Sequence, residues 1–92
     1  MELAVIHTIT NSSAYMEVLK GFDPARLPDG FELLATATSS DVSRAMCIWR
    51  APSKGALETT LSELLGDSTR NDVFDVQDGT VIIGGRTQAA AV

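Results

Sequence analysis

Leu3-Ala4-Val5-Ile6-His7-Thr8-Ile9 is the stretch that decides how this chain folds. Apolar side chains occupy both its odd and its even positions, and the branched residues favour extended backbone. Successive side chains of a strand point to opposite faces. A run that is greasy at both parities therefore predicts a central strand buried on both faces. Only His7 and Thr8 interrupt it.

Outward from that strand the signals alternate. Asn11-Ser12-Ser13 offers caps for a helix whose apolar set is Ala14, Tyr15, Val18, Leu19 and Phe22, closed by Gly21 and blocked by Asp23-Pro24. Pro28-Asp29-Gly30 is a turn. Phe31 to Thr38 then alternates, with Phe31, Leu33, Ala35 and Ala37 on one side and Glu32, Leu34, Thr36 and Thr38 on the other, which predicts a half-exposed strand. Ser39-Ser40-Asp41 turns the chain into a third strand, Arg44 to Ala51, apolar on both faces and so expected inside the sheet. Ser53 caps a second helix with the stripe Ala56, Leu57, Thr60, Leu61, Leu64 and Leu65, ended by Gly66. Asn71 to Gln77 reads as a fourth strand. Thr80 to Ile83 is a short apolar strand that either extends the sheet or reaches a partner, and residues 84–92 are expected to fray.

The order β-α-β-β-α-β defines an α+β chain of ferredoxin-like topology: a four-stranded antiparallel sheet, two helices on one face and a short extra C-terminal strand. Residues 1–83 form the single domain and 84–92 a tail. Both helices on one face leave the other bare, although the inner strands carry apolar residues of both parities. A second copy packed sheet on sheet would cover that face, giving a homodimer of the dimeric α/β-barrel type.

Composition narrows the function. A domain of 92 residues buries a modest share of its surface, so an interface with a second copy helps it. A net charge of −5 argues against nucleic-acid binding. Residues 58–78 hold six acids (Glu58, Glu63, Asp67, Asp72, Asp75, Asp78) against Arg70 alone. Cys47 is the single cysteine, so no internal disulfide forms, which suits a reducing, cytoplasmic setting. The start lacks a basic segment followed by a long apolar one, and no apolar run nears the ~18 residues that span a membrane. No dinucleotide fingerprint or phosphate loop is present, since Gly84-Gly85 has no helix after it, and no cofactor is expected.

Chemistry has few candidates. His7 is the one side chain that titrates near neutrality, and Arg50 is a fixed cation beside a large ring; these two are the candidate catalytic pair. Trp49, Cys47 and Asp75 are candidate ligand-binding residues, Asp75 because its strand setting could desolvate it. One histidine without ligand-spaced companions makes no metal site within a chain. Arg50 has an ordinary alternative, pairing with an acid on a neighbouring strand such as Glu32 or Asp75.

Met46-Cys47-Ile48-Trp49-Arg50-Ala51-Pro52-Ser53, followed by Ala56-Leu57, Gly66 and Val73-Phe74-Asp75-Val76, resembles the second half of small bacterial ferredoxin-like proteins of unknown function. The resemblance covers about half the chain and is structural. Some relatives of that type bind nickel through several histidines, which this chain does not match. Others of the wider dimeric α/β-barrel group are cofactor-free cyclases, isomerases or small monooxygenases. One reading, which follows from the lumen that this topology leaves, is a small dimeric protein that binds, and converts without a cofactor, an apolar or aromatic molecule between its sheets. Two alternatives stand beside it. One is a non-catalytic interaction or assembly module using the acidic 58–78 surface or the 80–83 strand. The other is a metal binder formed by His7 and acids of two subunits.

Overall fold

The computed structural model describes residues 1–88. Strand β1 (Glu2–Ile9) runs through the middle of a four-stranded sheet, flanked by β3 (Arg44–Arg50) and β4 (Thr69–Asp75), with β2 (Glu32–Thr38) at the edge beyond β3. Every neighbouring pair is antiparallel. Helix α1 (Ser12–Lys20) follows β1 and helix α2 (Lys54–Leu65) follows β3. The caps expected from sequence form: the side chains of Asn11 and Ser53 accept hydrogen bonds from the Ala14 and Ala56 N–H groups, both at 3.1 Å. Each satisfies a donor that the first helical turn leaves unpaired.

Pairing makes β4 start earlier than its apolar pattern suggests. Thr69 lies opposite Ile9, and the N–H groups of Thr10 and Asn11 both donate to Ser68 O, so the ladder with β1 begins two residues before Asn71. At the other end the Met1 ammonium donates to Ala51 O at 2.8 Å, which anchors the chain start to the exit of β3.

The core lies between the sheet and the helices. Leu3, Val5, Cys47, Trp49 and Val73 from the strands meet Leu57 and Leu61 from α2, all buried. Full burial of a leucine is worth about 1.5–3 kcal/mol, so these few side chains anchor α2.

The opposite face of β1 is not covered by any of the described residues. Ala4 is half-buried, and Ile6, Met46 and Phe74 are 39%, 49% and 45% exposed. Register aligns this face in two rows across the sheet, Ala35–Ile48–Ala4–Phe74 and Ala37–Met46–Ile6–Asp72. The double-sided apolarity of β1 is thus answered on one side by the helices and on the other by nothing among the described residues.

Strand β2 departs from simple alternation. Leu33 lies opposite Trp49, but Ala35, not Leu34, lies opposite Ile48. A bulged residue flips the parity of every later position in its strand. Leu33 and Thr36 therefore share the helix-covered face, and Ala35 and Ala37 move to the bare one, where unbroken alternation would have kept Leu33, Ala35 and Ala37 together.

The C-terminal segment makes its own hairpin instead of extending the sheet. Strand β5 (Ile82–Ile83) pairs with β6 (Arg86–Thr87) across Gly84-Gly85. Both glycines have positive φ, at 61° and 77°, which a two-residue hairpin turn of matching twist requires. Of the tail expected to fray from Gly84, the part through Gln88 is ordered by this pairing, and residues 89–92 lie outside the described residues.

Candidate functional site

The helix-covered face gathers most of the polar side chains that sequence reading singled out. His7 Nδ1 lies 2.6 Å from Asn71 Oδ1, its partner on β4. Asn71 Oδ1 also accepts from the Thr69 hydroxyl at 2.8 Å, so that oxygen is an acceptor and His7 Nδ1 carries the proton. The other ring nitrogen, Nε2, is then the basic one, and it lies 3.1 Å from Cys47 Sγ. Thr36 Oγ1 completes the chain 3.3 Å from the same sulfur. With the Cys47 S–H directed at Nε2, the Thr36 hydroxyl donates to sulfur.

Sheet geometry explains why these four meet. Asn71 is directly opposite His7 and Thr36 directly opposite Cys47, while His7 and Cys47 are diagonal neighbours on adjacent antiparallel strands. Diagonal pairs of this kind are within reach of long side chains.

Burial sets the protonation of the pair. His7 is 1% exposed, and loss of solvation lowers its pKa from the ordinary value, partly offset by the hydrogen bond with Asn71. Burial pushes the Cys47 thiol up, against the opposing pull of the Thr36 hydroxyl and the Trp49 indole. Both shifts favour neutral imidazole facing neutral thiol. Tyr15, whose ring lies 6.4 Å from that of His7, is raised by burial as well, with the Thr38 side chain opposing.

The chain opens onto an apolar cleft of about 40 Å³ between helices and sheet, walled by His7, Cys47, Trp49, Thr36, Phe22 and Leu61. Trp49 is 3% exposed, and its indole N–H makes no hydrogen bond of good geometry among the described residues. An unsatisfied buried donor costs about 1–3 kcal/mol. Val18, Phe22 and Leu64 separate this cleft from a larger outer groove of about 400 Å³ that is edged by Glu17, Arg26 and Glu63. The groove is the larger depression, and the thiol–imidazole pair lines the smaller one.

Of the residues expected to act, His7, Cys47 and Trp49 come together, and Arg50 and Asp75 do not join them. Arg50 pairs in register with Glu2 and Glu32 on the bare face, at 3.6 Å from Glu2 and 2.9 Å from Glu32. Pairing with Glu32 is the ordinary alternative expected for it. The second acid is Glu2, whose side chain is 4% exposed. His7 and Arg50 therefore line no common pocket. Asp75 is exposed on the edge strand β4, opposite Leu3. Sequence reading passed over Asn71 and Thr36, and assigned Tyr15 to the core alone. Strand parity relative to His7 could have found Asn71, but the bulge hid Thr36.

Among the described residues no group of three or more His, Cys, Asp or Glu side chains gathers as a metal site, and no helix is long and apolar enough to cross a membrane. Compared with family models, with curated proteins and with solved structures, the chain matches none.

Proposed function

We propose that this chain is a ferredoxin-like unit that pairs with a copy of itself and holds a small apolar or aromatic molecule between its helices and its sheet. One observation carries the ligand reading: an apolar cleft walled by the buried Trp49 ring and by a thiol–imidazole pair. Such a greasy enclosure suits a small apolar molecule. The site lies under the helices, not in the lumen between two sheets that the bare face first suggested, because His7, Cys47 and Trp49 share the parity of Leu3 and Val5.

Self-pairing is supported separately. The strand order β2-β3-β1-β4 is the one expected of the ferredoxin-like arrangement, and its uncovered face carries Ile6, Met46 and Phe74. The ends of that face carry opposite charge: Arg44, Thr8 and Arg70 align in one row, and Glu32, Arg50 and Glu2 in another. A surface with an apolar middle and oppositely charged ends complements a copy of itself. A cytoplasmic location accords with the lone free thiol.

Binding is tested by titrating the protein with butanone, cyclohexanone and acetophenone while following emission from Trp49, its sole tryptophan. A saturable change with at least one ketone, lost when Leu61 is enlarged to Trp in a Trp49→Phe background and followed by methyl resonances, is expected. No saturable change with any of them overturns the reading. A metal bridging two copies through His7 is less well supported, because both ring nitrogens are engaged and the ring faces away from the bare side.

A further inference from the structure

We propose that Cys47 is a nucleophile deprotonated by His7 as it attacks, and that its substrate is a small alkene conjugated to a carbonyl. This rests on the cleft being a ligand site, and it adds a reaction to that site.

The geometry supplies each part. His7 Nε2 faces Cys47 Sγ at 3.1 Å, and the bond from Nδ1 to Asn71 fixes which nitrogen is basic. Asn71 is itself held by Thr69, so the ring has its orientation and tautomer set before any ligand arrives. The pair rests neutral, so the proton must move during attack, which is the task of a general base. The buried ring of Trp49 walls the same cleft.

The step balances without a co-reactant. The thiol proton passes to His7 Nε2 as sulfur bonds to the β-carbon. The alkene π electrons shift to give an enolate. His7 then returns its proton to the α-carbon, and the thiol has added across the double bond. No leaving group has to depart, which suits a small, apolar cleft better than acyl transfer does.

The test uses methyl vinyl ketone as the reactive probe and butanone as its saturated counterpart. Adduct formation at Cys47, the only cysteine, is followed by intact mass and peptide mapping. We expect one adduct on the wild type, none at this position in Cys47→Ser, and a rate about 100-fold lower in His7→Gln. The pH profile of the wild type gives an answer that needs no variant. Attack through His7 keeps the rate level from near neutrality upward and lowers it once the imidazole is protonated. Chemistry by free thiolate alone climbs about tenfold per pH unit until the thiol titrates, and that profile overturns the proposal, as does an undiminished rate in a folded His7→Gln. Butanone binding without adduct formation removes the reaction and leaves the ligand site. Failure of both removes the site as well.

Discussion

Thr36 Oγ1 lies 3.3 Å from Cys47 Sγ because β2 carries an extra residue between Leu33 and Ala35. Without the bulge, Thr36 would point away from the thiol. Its hydroxyl opposes the upward pull of burial on Cys47. Thr36→Val, close in shape but lacking the donor, is expected to raise the thiol pKa further, read as a later rise of thiolate ultraviolet absorbance with pH. Stability should change by no more than about 1 kcal/mol, the net worth of one hydrogen bond. An unmoved thiol titration would show that the contact has no electrostatic consequence.

The buried groups give stability a two-sided pH dependence. His7 has a folded pKa below its unfolded value, so below about 6.5 the unfolded chain takes up a proton that the fold resists. Stability from this group is complete above that pH and falls as pH drops, with a slope of at most about 1.4 kcal/mol per pH unit. Cys47 and Tyr15 are raised, so the unfolded chain loses protons first and stability falls again as pH climbs past their ordinary values. Urea unfolding across pH should show the acid arm flatten in His7→Gln, while the alkaline arm persists. An identical acid arm in that variant would assign the loss to another group.

The bare face should govern association and little else. Ile6→Glu or Met46→Glu places charge among side chains that are already exposed within one chain. On the proposed self-pairing, light scattering should report pairs for the wild type and single subunits for either variant. Unfolding of the single subunit should shift by no more than about 0.5 kcal/mol.

In the proposed self-pairing, charge at the ends of that face would fix how two copies meet. With the two-fold axis across the strands, the Arg44 and Arg70 end of one copy would lie over the end of the other that carries Glu2, Arg50 and Glu32. Arg44→Glu should weaken pairing, and adding Glu32→Arg should restore it, each exposed pair being worth about 0.2–1 kcal/mol. A double variant as weak as the single one would exclude this orientation.

Two backbone positions test the fold itself. Val42 in the β2–β3 turn has φ of 56°, a left-handed conformation costly for a branched residue. Val42→Asn should stabilise by about 1 kcal/mol, which for a domain of this size raises the Tm by about 4–8 °C. Gly30 has φ of 88°, and a Cβ there would sit 3.1 Å from Pro52 Cγ. Gly30→Ala should therefore destabilise by about 1–2 kcal/mol, the cost of a side chain in that conformation.

The element order, both helix caps and the central seat of β1 were legible in the residues, because capping groups, turn residues and apolar spacing act over a few positions of chain. The pairing of Arg50 with Glu32 was legible too, as charges on adjacent strands. What stayed hidden was which parity each strand turns toward the helices. Alternation says that two sets exist, and only packing says which set is inside. The face assignment separated His7 from Arg50, and the bulge moved Thr36 to the side of Cys47. Asn71 became a partner of His7 through a register between residues 64 positions apart. Local chemistry in the sequence determined what this chain's elements are, while the cleft and its thiol–imidazole pair were decided by strand register, which depends on contacts distant along the chain.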